Sequence, residues 1–336
     1  MLLSVVVIVL MVTIPIAGQT PSAGARSNRA AAKPYTPPRT PDGQPDLQGF
    51  WTNSTYTPLE RPKDVTKEFY TPEEAAAAIK RAAERENAQT EPGTTDDVHY
   101  DFSQFGLDRS QSTFARNLRT SLIVDPPDGR IPPMTAEGQQ RAADRAAARK
   151  ALGGQYDAVQ NMPLGSRCIV MAGAGPPMMN AGYNANYQIV QAPGYVMILT
   201  EMIHDVRIIP LDGRPQPPQS VRQWTGVSRG RWEGETLVVE TTNFNGKNPF
   251  RGASENMRVI ERFTRIADDT ILYKFTIDDP STWTKPWSAE MPMAKTGGPI
   301  FEFACHETNY GIANILAGAR ASEQAGAQDP AKKGSK

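Results

Sequence analysis

Reactive side chains are scarce in this chain of 336 residues, which holds two cysteines and three histidines. Cys168 and Cys305 stand far apart with no further cysteine beside either, and this excludes a zinc–thiolate site. Net charge is lacking too, since 36 Lys and Arg face 36 Asp and Glu. A nucleic acid needs a basic face, and the balance predicts no such partner. No lysine or arginine precedes the apolar run at residues 2–17, as in a weak signal or a truncated start, and no cysteine closes it, so nothing points to a lipid-modified lipoprotein.

That run, interrupted only by Ser4, Thr13 and Pro15, has the length of a signal-peptide core and falls short of a membrane span. Small residues at Ala17, Gly18, Ala23 and Ala25 flank it, so residues 1–25 read as a signal segment; an uncleaved anchor or a buried helix is the other reading. Export places the protein in the periplasm or outside the cell, with no stable membrane span after processing. An oxidising compartment suits a Cys168–Cys305 disulfide, which could stabilise the fold by up to roughly 5 kcal/mol. Two free buried thiols are the alternative.

Residues 26–62 read as an extended arm, because seven prolines fall between Pro34 and Pro62. Within it, Gly49-Phe50-Trp51 places two aromatics where the chain begins to dock on its domain, and Asn53-Ser54-Thr55 is a formal glycosylation sequon. A single β-rich domain is expected over 63–322, followed by a polar, disordered tail over 323–336. Thr71-Pro72-Glu73-Glu74 combines an N-cap, a first-turn proline and a capping-box glutamate, predicting a helix to about residue 87. Thr135 opens a second helical stretch that stops at Gly153-Gly154, and a third covers 309–321.

Strands are expected at 118–124, 187–191, 195–209, 236–242, 257–266 and 270–277. Pro193-Gly194, Glu233-Gly234 and Asp268-Asp269 sit in the short gaps, and turns this short force antiparallel pairing. The fold class is therefore mainly β: an antiparallel meander forming a barrel or a sandwich, with two or three peripheral helices.

Three constellations could carry chemistry. The first is Glu201-Met202-Ile203-His204-Asp205-Val206-Arg207. In one continuous strand His204 shares a face with Val196, Ile198, Met202, Val206 and Ile208, while Glu201, Asp205 and Arg207 share the other. His204 is then a hydrogen-bonded core residue or a base pointing into a barrel cavity. His306, beside Cys305, supplies a second imidazole, and Glu201 and Asp205 supply carboxylates. No spacing demands a metal, and no cofactor is indicated. The second is aromatic and amide-rich: Tyr183, Tyr187, Asn243 and Trp283, with Arg207 as a cation, suit a small organic or sugar-like ligand, or simply core packing and turns. The third is Gly226-Val227-Ser228-Arg229-Gly230, which fits the nucleophile-elbow pattern of serine hydrolases with Asp278 or Asp279 and His306 following in order. The strand expected directly after Ser228 conflicts with the helix an elbow requires. Gly173-Ala174-Gly175 fails as a dinucleotide fingerprint, because Pro176-Pro177 stands where a helix should begin.

As a set, the segments 46–51, 125–133, 203–213, 228–239, 254–256, 279–283 and 304–307 resemble a family of exported bacterial β-rich proteins without an assigned activity. They include Gly49-Phe50-Trp51, Ser254-Glu255-Asn256 and Cys305-His306-Glu307. That resemblance implies export and one continuous domain, and brings no catalytic residues. Gly49-Phe50-Trp51 and the meander are also similar in architecture to lipocalin-like barrels, which confers no function. The expected activity is binding of a small organic molecule, with acid–base lyase or isomerase chemistry through His204 or His306. A serine hydrolase using Ser228 and a non-catalytic envelope protein are the other expectations.

Overall fold

The computed structural model describes residues 35–86, 117–171, 175–179, 183–307 and 309–328. Two compact units divide the chain at residues 35 and 36; the expected signal segment, the first part of the expected arm and His99 lie outside the described residues.

Ten antiparallel strands form one sheet: β1 (Gly49–Thr52), β2 (Ile123–Asp125), β3 (Asn186–Ala192), β4 (Tyr195–Thr200), β5 (Val206–Pro210), β6 (Val227–Glu233), β7 (Thr236–Thr242), β8 (Arg258–Ala267), β9 (Thr270–Asp278) and β10 (Trp287–Lys295). Their spatial order is β5-β4-β3-β1-β10-β9-β8-β7-β6, with β2 laid on β10. The ends of this path curl towards each other, so the fold is a nearly closed barrel. Side chains close it: Arg207 of β5 donates to Ser228 Oγ of β6 at 3.2 Å. Gly230 is required at this seam, because a Cβ there would lie 2.8 Å from Ile209 Cγ2 and 2.6 Å from Leu211 Cδ2.

The two-residue alternation of the strands fills the interior. Val259, Phe263, Ile271, Tyr273, Phe275, Ile277, Trp287, Met291 and Met293 are all fully buried and belong to one core with Trp51, Ile189 and Ile198. The two-residue turns Pro193-Gly194 and Gly234-Glu235 carry glycine at positive φ, 77° and 59°, as tight hairpins require. Trp51 and Leu47, in the stretch expected to be an arm, are entirely buried, and β1 lies between β3 and β10. That part of the proline-rich segment is thus built into the barrel.

The strand expected over 195–209 is two strands. A 3-10 turn over Met202–His204 separates β4 from β5 and reverses the alternation: Arg207 and Ile209 point inward, while Val206 and Ile208 are exposed. Among the described residues there are three α-helices: α1 (Pro72–Glu86), α2 (Ala136–Ala151) and α3 (Tyr310–Gln328). The α1 capping box forms as spelled, with Glu74 N–H donating to Thr71 Oγ1 and Thr71 N–H donating to Glu74 Oε2. Helix α3 runs seven residues past its expected end at 321, into the stretch expected to be a tail. No helix among the described residues is long and apolar enough to cross a membrane.

Candidate functional site

A polar network is buried in the barrel interior. Arg207 grips Glu261 of β8 with both terminal nitrogens, at 3.1 and 2.5 Å, and Tyr273 Oη of β9 donates to the same carboxylate at 2.8 Å. Glu261 is wholly buried. Burial alone would lower the Arg207 pKa, but the attraction of Glu261 and its hydrogen bonds raise it. The Tyr273 and Tyr187 hydroxyls are pushed up by burial, so both stay protonated.

This network reaches out to fix the segment 175–179. The Met178 N–H donates to Tyr273 Oη at 2.9 Å, and Asn53 Nδ2 donates to the Met178 carbonyl and to Tyr187 Oη, each at 3.1 Å. Asn53 is completely buried, so the formal sequon is closed to modification in the folded chain. Ser228 Oγ contacts Arg207 and Thr241 in mid-strand, with no histidine among these partners and no helix following. The elbow geometry is therefore absent.

Segment 175–179 forms one wall of a cleft of ≈ 370 Å³ at an end of the barrel. Pro176, Pro177 and Met179 face Trp224, Phe244, Phe250 and Met257, and Arg251 lies at the rim. Among the described residues no Asp, Glu or His lines it. Phe250 stacks on Trp287 with ring centres 6.2 Å apart, and Trp287 meets Trp283 edge-on at 5.8 Å. Trp283 is thus buried behind the cleft wall. Asn243, at φ 60°, donates through Nδ2 to the carbonyls of Pro217, Pro218 and Val221, which holds the loop leading to Trp224.

The 250–253 turn that carries Arg251 is braced from below. Arg145 of α2 donates to the Gly252 and Ala253 carbonyls at 3.0 and 3.2 Å. Asp279 then accepts four bonds, from Ser254 N–H, Ser254 Oγ, Ser281 Oγ and Thr282 Oγ1, at 2.6 to 3.0 Å. Burial pushes the Asp279 carboxyl up, but these donors outweigh it and hold its pKa below the usual value. A depressed carboxylate contributes stability above its unfolded pKa of about 3.9 and loses it as pH falls through the folded value. Asp279→Asn is expected to cost about 1–3 kcal/mol in urea unfolding at pH 7, and the gap to the unmodified protein should shrink below about pH 4. A gap independent of pH would remove the charge from this account.

His204 and His306 lie elsewhere, on the surface. His204, at φ 48°, is exposed and its Nδ1 meets the Phe303 carbonyl at 2.9 Å; Tyr183 packs on the Phe303 ring at 6.4 Å. Cys305 is joined to Cys168, and His306 beside it is exposed. His204 therefore touches the segment bearing His306, but neither faces an enclosed cavity. Glu201 is buried and accepts from Asn186 Nδ2 at 2.6 Å, while Asp205 is half-buried, with its pKa raised by burial against a smaller opposing effect of His204. Arg207, expected beside Asp205, is turned inward to Glu261 by the 3-10 turn. Among the described residues no cluster of His, Cys, Asp and Glu could hold a metal ion.

Sequence reasoning passed over Trp224, Phe244, Phe250, Arg251 and Met257. Pro249-Phe250-Arg251-Gly252, an aromatic and an arginine enclosed by two turn formers, was the available signal. No family model, curated protein or solved structure matches this chain.

Proposed function

We propose that the protein is an exported binder of small planar organic molecules, which it holds in the cleft between Pro177 and Phe250. The observation that carries this reading is the wall of Trp224, Phe244, Phe250 and Met257 around ≈ 370 Å³ of open space. Such a volume lies at the lower end of the range for ligand pockets. The filled barrel favours the mouth of the fold over its interior as the place for a ligand. Export is supported by the Cys168–Cys305 bond, which suits an oxidising compartment. No described carboxylate or imidazole lines the cleft, so the activity assigned to it is binding.

Scanning calorimetry with indole, 2-naphthamide and 2-naphthoate tests the reading. At a hundred times its dissociation constant, a bound probe should stabilise the fold by about 2.7 kcal/mol. Trp224→Ala should remove most of that gain with little effect on the unliganded protein, since Trp224 is one of the exposed hydrophobic residues. Absence of stabilisation by all three probes would end the proposal.

A further inference from the structure

We infer that the cleft selects organic acids, with Arg251 binding the carboxylate of an aromatic ligand; this rests on the cleft being a binding site. Arg251 is exposed at the rim, and no hydrogen bond or ion pair to another described residue engages its guanidinium. The neighbouring charges are already committed. Glu255 pairs with Arg222 at 3.5 Å, and Arg222 also donates to the Phe244 carbonyl at 3.0 Å. Asp279 is saturated by Ser254, Ser281 and Thr282. Among the described residues, then, Arg251 is a cation without a charged partner at the edge of an apolar cleft, and no described carboxylate lines its wall.

The backbone holds this arginine in place. Arg251 adopts the left-handed conformation, φ 52° and ψ 29°, which a residue with a long side chain rarely takes without cause. Arg145 secures the carbonyls of the two residues that follow. Ala253 N–H donates to the Phe250 carbonyl at 2.9 Å and closes the turn. Phe250 and Arg251 are thus presented together from one braced turn, the ring to the cleft wall and the guanidinium at its rim. A planar guanidinium matches a carboxylate through two parallel hydrogen bonds, and a ring attached to that carboxylate would lie among Trp224, Phe244 and Phe250.

The test compares 2-naphthoate with its neutral isostere 2-naphthamide, by isothermal titration of the full chain and of Arg251→Gln, Arg251→Lys and Trp224→Ala. The unmodified protein should bind the acid at least about ten-fold more tightly than the amide. Arg251→Gln should bring the acid down to the amide's affinity and leave the amide unchanged, and Arg251→Lys should restore part of the preference. Trp224→Ala should weaken both probes alike. Equal affinities for acid and amide, unmoved by Arg251→Gln, would overturn the acid preference and leave the binding cleft standing. Failure of both probes to bind would overturn both.

Discussion

Replacing Glu261 by alanine is expected to lower the unfolding free energy by about 3–5 kcal/mol, because it leaves the Arg207 guanidinium charged and unpaired inside the barrel. Arg207 and Glu261 are almost fully enclosed, so solvent does little to screen the loss. The pair itself is a poor source of net stability, since taking both charges out of water costs about as much as their attraction returns. Replacing both at once, Arg207→Met with Glu261→Leu, should therefore recover most of what the single change loses. Urea titrations of the two variants beside the unmodified protein check this, and equal losses in the single and double variants would contradict it.

Removing the disulfide should produce the second large loss. The bond closes a loop between positions 137 residues apart, and a loop of that length corresponds to roughly 4–5 kcal/mol of constraint on the unfolded chain. It also secures the C-terminal segment, where Asn309 Nδ2 donates to the Ser166 carbonyl at 2.9 Å and Arg320 donates to the Tyr156 and Asp157 carbonyls. The double variant Cys168→Ser with Cys305→Ser is expected to unfold at lower urea concentration and to be cleaved first by protease between residues 301 and 328. An unchanged urea midpoint would refute the stabilising role.

Strand β7, residues 236–242 in both readings, was legible because Leu237, Val239 and Thr241 alternate towards the core between clear turn signals. Strands β8 and β9 were legible for the same reason, and so were the α1 and α2 starts at Thr71 and Thr135. Strand β6 was not. Its Val227-Ser228-Arg229-Gly230-Arg231 pattern is too polar to look like a buried face, because one inward position is a serine bound to Arg207 and another is a glycine emptied for Ile209 and Leu211. Strand β10 carries Pro292 and four further residues of weak strand preference, and β1 hid among prolines. The inward turn of Arg207 depends on the Met202–His204 turn, in which Ile203 and His204 take positive φ, 64° and 48°, and hydrophobic alternation alone does not encode it. The cleft was unreadable for a different reason: its walls come from residues 171, 175–177, 179, 224–225, 244, 248–251 and 257, which share no local pattern and meet only once the sheet has curled.

The place of β1 also governs the order in which the barrel can be assembled. Trp51 pairs with Tyr187 on one side and with Lys295 on the other, so the first strand among the described residues joins the β3–β5 hairpins to the last of them, β10. The hairpins β3–β4, β6–β7 and β8–β9 need only near neighbours and can form as they are synthesised. The seam at β1 instead waits until residue 295 is available, and a closure with so great a sequence separation is slow. Until then Trp51 and the inner faces of β3 and β10 stay uncovered, and the nascent chain remains an open sheet that a holding chaperone could engage.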